Sequence, residues 1–500
     1  MLEIIVFLPL IAALAIGLGA PARFTALGAS VITLLLSLVL AVRFDQTLIG
    51  EIQLDSSRLL LSMDGFPTLS LAFGVDGISL TLLLLSTLVM VVAVLVSPQE
   101  KDIEKGSPKL FYLSLLLIGG GAIGAFTSTD LFFFYAFHEL ALIPTFLMIG
   151  IFGSGENRVR TAWTITIYLG VGSLILLVGL IMAVFALGSS TFDIPTLIAD
   201  AKNPDLAIAA GTQIWIFVFL LIGFGILVSL FPFHSWAAPA YAEAPAAVAM
   251  LHAGVLKKFG LYGLIRVAMP IVPEGMQALL NVVLVLLLGN IIYIGLVTVA
   301  QKKLDRMLGY SSVMHMGYVF LGLATMNQIG VSGAVLLMFA HGVSIALLFA
   351  LCGWIREKYG TVSFEDLGGI ASHLPKLGLL FAFAAFASAG LPGFANFAAE
   401  VAVFFGAFKE TGESLGWLQW TTIIALWGVV ISAVYMLRAF RNLFLGTPEE
   451  KMAKPTDMTL AGRLPYFLLL ATLIAVGFVP ELLNQFIRPA VEGLFLVTAG

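Results

Sequence analysis

The chain has almost no cysteine and very little charge. Cys352 is the one cysteine in 500 residues, so no internal disulfide can form and no cysteine-ligated iron–sulfur cluster can belong to this chain. It sits in an apolar run and reads as an inert core residue. Charged residues make up 11% of the sequence, where a soluble domain carries about 25%. There is no basic arm with interleaved aromatics, no glycine loop to cradle a phosphate and no Cys/His cluster at metal-ligand spacing. Nucleic acid, a nucleotide cofactor and a metal on this chain are therefore not expected. What the sequence has instead is apolar surface. Hydrophobic residues make up 60% of it, and a mean hydropathy of +1.06 holds over the whole length. No water-soluble fold could hide that much, so the lipid bilayer is the expected solvent.

Apolar stretches of crossing length, about 17–25 residues each, run near 2–20, 25–43, 78–97, 109–127, 130–152, 162–187, 208–231, 244–268, 276–300, 306–325, 332–355, 375–407, 418–444 and 462–485. The expected fold is an all-α membrane protein of about 14 transmembrane helices. An even count puts both termini on one side. With the termini outside, inner loops hold 17 of the 25 lysines and arginines and outer segments hold 6, Lys257 and Lys258 lying within a span. Cytoplasmic loops carry the positive excess, so both termini are expected on the outer face. The start has Glu3 in place of a basic n-region and reads as a retained first helix. The longest polar connection, about 44–77, then becomes a small outer cap or hairpin, and no soluble domain is expected.

Two spans are interrupted alike, the seventh by Ser229-Leu230-Phe231-Pro232-Phe233-His234 and the twelfth by Gly390-Leu391-Pro392-Gly393-Phe394. Proline removes a backbone donor and clashes with the preceding turn, so each is expected to be a broken helix. Paired breaks in corresponding positions point to two inverted repeats, helices 4–8 and 9–13, with a transport path at each break. The expected division is 1–108 for the first three helices and the outer cap, 109–268 and 269–445 for the two repeats, and 446–500 for the last helix. Prolines that only shape packing are the plainer alternative.

A charge at the bilayer centre costs at least about 2.5–3.5 kcal/mol, so those that persist usually pair or line a water path. Glu139 lies inside the fifth span, Lys257 and Lys258 inside the eighth, and Glu400 just past the break in the twelfth. His234 sits at the first break, His252 one turn before the lysines, and His315 and His341 in spans ten and eleven. Such a series is what a proton relay needs, because carboxylates, imidazoles and desolvated lysines can titrate near neutrality. A structural ion pair or an interhelical hydrogen bond is the competing reading for each. His138 reads as a residue facing a neighbouring helix, and His373 as a loop residue.

Those residues carry a resemblance. Phe137-His138-Glu139-Leu140-Ala141-Leu142-Ile143-Pro144 resembles the fifth helix of the antiporter-like M subunit (subunit 4) of complex I, NADH:quinone oxidoreductase. Pro232-Phe233-His234-Ser235-Trp236, Glu243-Ala244-Pro245 and the run from Ala253 to Arg266 are similar to its seventh and eighth helices. The runs Ser311 to Tyr318, Ala340 to Gly342 and Gly390 to Glu400 continue the match through the twelfth, and Glu400 stands where sister subunits commonly carry lysine.

The resemblance implies a proton-translocating subunit of a respiratory translocase in an energy-transducing membrane, most simply the bacterial inner membrane. Its partners would be other membrane subunits. FMN and iron–sulfur clusters would lie elsewhere in the complex, quinone would be the acceptor, and no cofactor would sit on this chain. Glu139 matches the family's fifth-helix acid, Lys258 its central lysine, Glu400 its terminal proton-exchange residue, and His234, His315 and His341 its bridging histidines.

One member is missing. The family's helix-seven lysine, nine residues before the motif tryptophan, falls on Leu227, and its Leu-Pro-Asp-Ala-His is replaced by Ala237-Ala238-Pro239-Ala240-Tyr241. Either Lys257, a charge the family does not usually have there, takes over, or the channel is altered and the subunit is retained for structure. A multi-component sodium/proton antiporter, a membrane-bound hydrogenase or a carbon-dioxide-uptake complex would use the same helices. A haem-bearing quinol enzyme is a rival of a different class, disfavoured because the histidines do not fall in facing pairs.

Overall fold

The computed structural model describes residues 1–103, 105–409, 412, 414–448 and 455–496. Backbone polar groups find no water in a hydrocarbon core, so a spanning segment must satisfy them within itself. The chain accordingly folds into helices: α1 (Leu2–Gly17), α2 (Ala22–Arg43), α3 (Gly77–Val96), α4 (Pro108–Thr127), α5 (Leu131–Phe152), α6 (Arg158–Ala186), α7 (Ile194–Lys202), α8 (Ala210–Val228), α9 (Ala237–Glu243), α10 (Ala246–Ile271), α11 (Leu280–Val299), α12 (Leu304–Ala324), α13 (Gln328–Tyr359), α14 (Pro375–Ser388), α15 (Ala395–Phe408), α16 (Trp417–Phe444), α17 (Leu460–Phe478) and α18 (Glu481–Leu496).

Among the described residues, ten helices are long and apolar enough to cross a membrane, or eleven when α17 and α18, bent by 67°, count as one span. The tally is lower than the sequence expectation for physical reasons. α1 is only 16 residues long, α12 is long enough but carries Asp305, Arg306, Ser311, Ser312 and His315, and the twelfth apolar stretch is divided into α14 and α15 of 14 residues each.

The polar connection after α2 is an antiparallel hairpin of β1 (Gln53–Met63) and β2 (Phe66–Val75). Its second strand leads into Asp76, whose carboxylate caps α3 by accepting from the Ile78 and Ser79 amides. Asp130 caps α5 in the same way through the Phe132 and Phe133 amides.

Burial sorts the helices into an inner and an outer set. The apolar windows of α10 and α13 are wholly buried within the protein, while those of α2 and α16 are one-third buried. Leu14, Phe24, Trp163, Trp215 and Trp427 stand exposed on the outer helices, as lipid-facing and interfacial side chains do. α10 meets α13 at glycine: a Cβ on Gly342 would lie 2.6 Å from the Gly254 carbonyl oxygen, and one on Gly254 3.0 Å from that of Gly342. Small residues let the two backbones approach closely. The lysine-bearing helix is thereby held against the helix that carries His341.

Candidate functional site

α10 is not a regular helix. Its turns over His252–Leu256 and Leu264–Ala268 are π-helical, and the Lys257 amide donates to the carbonyl of His252, five residues back, at 3.0 Å. Wide turns of this kind recur at functional positions because they turn a side chain out of the regular spacing. Lys257 and Lys258 follow the first one, and both are fully buried. Lys258 Nζ donates to the Ala253 carbonyl at 2.7 Å, while Lys257 Nζ donates to Ser312 Oγ of α12 at 3.3 Å and lies 5.3 Å over the Tyr241 ring.

From Ser312 the polar contacts continue. Its hydroxyl is 3.1 Å from His341 Nε2 on α13, and the His341 ring is stacked on that of His315 with centroids 5.2 Å apart. His315 holds the Ser311 carbonyl at 2.8 Å through Nδ1 and the Ser388 carbonyl at 3.0 Å through Nε2. Ser388 is the last residue of α14. Just beyond it Gly390 turns the chain at φ +71, and a Cβ there would lie 2.5 Å from Glu400 Oε2. Glu400 is buried on α15. Lysine, serine, two histidines, a helix end and a carboxylate therefore succeed one another across α10, α12, α13, α14 and α15.

The first helix break is closed from outside. α8 ends at Val228, and Ser229 takes a left-handed turn at φ +66. Asn290, on the π turn Gly289–Ile294 of α11, accepts from the Phe231 amide at 2.6 Å and donates to the carbonyls of Ser229 at 3.3 Å and Val313 at 2.8 Å. Trp236 Nε1 donates to the Ile226 carbonyl at 3.0 Å. The groups freed by the break are thus satisfied by protein, as membrane depth demands. His234 stacks on Phe231 beyond the break and leaves Nδ1 without a partner.

Glu139 stands apart from this line. Its side chain is 34% exposed and faces a cavity of about 150 Å³ between α5 and α6, bounded by Leu142, Phe146, Ile165 and Leu169. Ser173 donates to it, and His138 Nδ1 lies 3.7 Å from Oε1. Neither lysine reaches it with a salt bridge.

The family model for "NADH:quinone oxidoreductase/Mrp antiporter, TM" matches residues 128–437. The chain belongs to that family. A Microcystis aeruginosa protein named NAD(P)H-quinone oxidoreductase chain 4 2 is 33% identical, over 97% of this chain and 91% of its own length. The Rhodobacter capsulatus NADH-quinone oxidoreductase subunit M is 32% identical over 99% and 96%. Among solved structures, a chain of respiratory complex I from Thermus thermophilus with bound NADH superposes with a TM-score of 0.88 at 29% identity, over 100% of both chains. A chain of the Mrp complex from Dietzia sp. gives 0.83 at 20% identity over 100% and 99%, a likeness of fold.

Within this antiporter-like family the chain's departures take a definite form. Leu227, at the missing-lysine position, is buried in α8. Lys257 does not turn toward Glu139: its hydrogen bond runs to α12 and its charge rests on Tyr241, the aromatic at the altered motif. Sequence reasoning missed Ser312, Asn290 and Ser173. Ser312 carried a faint signal, lying three residues before His315 and so on the same helix face; Asn290 and Ser173 gave none, since their partners are distant in sequence.

Proposed function

We propose that this chain is a proton-translocating membrane subunit of a respiratory NADH:quinone oxidoreductase. The observation that carries the reading is the buried polar file from Lys257 through Ser312, His341 and His315 to the helix end beside Glu400. Buried charges in a membrane are expensive, and five groups able to carry protons, placed in succession, are explained by transfer better than by packing. Lys257 and Lys258 form the central reservoir. His341 and His315 relay, and Glu400 exchanges protons with the far side. Glu139 and His234 serve the opposite end, toward a neighbouring subunit.

Quinone reduction elsewhere in the complex supplies the energy, as a change of charge or hydration at one end of the line. FMN and iron–sulfur clusters belong to other subunits in this reading. The fold is read as fourteen crossings, with α1, α12 and the α14–α15 pair counted as spans. Two inverted repeats over 109–268 and 269–445 are flanked by 1–108 and 446–500, and both termini face the periplasm of a bacterial inner membrane. The two breaks, each beginning at a left-handed residue, Ser229 and Gly390, support the repeat.

The test is Lys258→Met in the assembled complex, reconstituted in vesicles, with protons moved per quinone reduced as the readout. A ratio equal to that of the unaltered complex would remove the reading. Purification without any flavin or iron–sulfur protein would favour the antiporter complexes instead.

A further inference from the structure

Two buried histidines remain outside the relay. His138 is 2% exposed and His252 3%, and each leaves one ring nitrogen, Nδ1 of His138 and Nε2 of His252, with no hydrogen-bond partner. Buried polar atoms without partners are rare and ask for an explanation. α5 packs against the start of α10, where His252 lies, and Phe259, on which the His138 ring stacks, is on the same helix two turns further along. On one side His138 Nδ1 is 3.7 Å from Glu139 Oε1, beyond a hydrogen bond. Its ring lies flat on Phe259, centroids 3.9 Å apart. On the other side His252 Nδ1 is 3.3 Å from the Tyr241 hydroxyl, and the Tyr241 ring lies beneath Lys257.

We propose that His138 and His252 form a lateral proton link between Glu139 and the lysine cluster, with water between the two imidazoles. The inference rests on the proton-translocating reading above. Protonated Glu139 gives its proton to His138 Nδ1 and becomes a carboxylate. The imidazolium releases its other proton from Nε2 to a water, which gives one to His252 Nε2. His252 passes its Nδ1 proton to the Tyr241 oxygen as that hydroxyl releases its own, through water, to the neutral amine of Lys257, which becomes an ammonium. Each imidazole ends as the opposite tautomer and resets by turning, with no net change of charge on either ring. The arrangement joins Glu139, which no lysine pairs, to the central file.

The experiment uses the whole complex in vesicles, with protons moved per quinone reduced and the amount of assembled complex measured together. His138→Gln and His252→Gln keep polar side chains but cannot shuttle a proton between two ring nitrogens. Each is expected to lower the ratio as far as Lys258→Met does, with assembly retained. The double variant should fall no further than either single one, because the two act in series. If Lys258→Met lowers the ratio while both histidine variants leave it intact, the link is overturned and the central relay stands. If Lys258→Met itself has no effect, the underlying reading has failed. Should the glutamine variants not assemble, His138→Asn and His252→Asn repeat the measurement, and a normal ratio in either overturns the link.

Discussion

Asn290 accepts a 2.6 Å hydrogen bond from the Phe231 amide, and with that contact and the Tyr293 ring against Phe231, α11 holds the far side of the break in the α8 segment. The Asn290 side chain donates to the Ser229 and Val313 carbonyls, so it ties the break to α12 beside Ser312. Asn290→Leu keeps the volume and strands the Phe231 amide and the Ser229 carbonyl, at about 1–3 kcal/mol each, while the Val313 carbonyl keeps its bond within α12. A lower thermal midpoint of the purified complex is expected, together with weaker proton uptake in vesicles. An unchanged midpoint would show that the break is held by other contacts.

Lys257 and Lys258 are neighbours with different attachments, one to the Ser312 hydroxyl and one to the carbonyl of its own helix at Ala253. If Lys257 supplies the charge absent at Leu227, Lys257→Met lowers protons moved per quinone reduced. Ser312→Ala, which cuts the contact between Lys257 and His341, should act in the same direction with a smaller loss. A normal ratio in Lys257→Met ends the compensation idea.

Gly342→Ala places a methyl 2.6 Å from the Gly254 carbonyl oxygen, a distance real side chains do not tolerate against backbone. α10 and α13 must separate, at a cost of about 1–3 kcal/mol. Lys257 is expected to part from the Ser312–His341 pair as well. Thermal stability and proton uptake should fall together. Ser344→Ala, two residues along the same helix, loses only the hydroxyl's hydrogen bonds to the His341 carbonyl and from Asn396, and should affect stability less.

Gly390→Ala meets two obstacles. The position requires φ +71, which costs a residue with a side chain about 1–3 kcal/mol, and the new methyl would press on the Glu400 carboxylate at 2.5 Å. Proton release is expected to slow more than in Glu400→Asp, which shortens the side chain but leaves the turn intact. Equal rates in the unaltered and Gly390→Ala complexes would show that Glu400 has room to move.

The amino-acid sequence by itself determined the membrane class, most of the helical spans and the positions of the two breaks. Hydropathy is a sum over neighbours in the chain, and proline and glycine act on their own turn, so both are readable locally. It also singled out Glu139, Lys257, Lys258 and Glu400, because a charge in an apolar run is conspicuous. Only the tertiary structure decided what each of them touches. Lys257 turns to Ser312 and away from Glu139 because a π turn and a glycine contact set the rotation and depth of α10 against α12 and α13. Asn290 reaches Phe231 across 59 residues of sequence. Hydrogen bonds in lipid must be completed by whichever group is nearest in space, and that choice belongs to the assembled bundle.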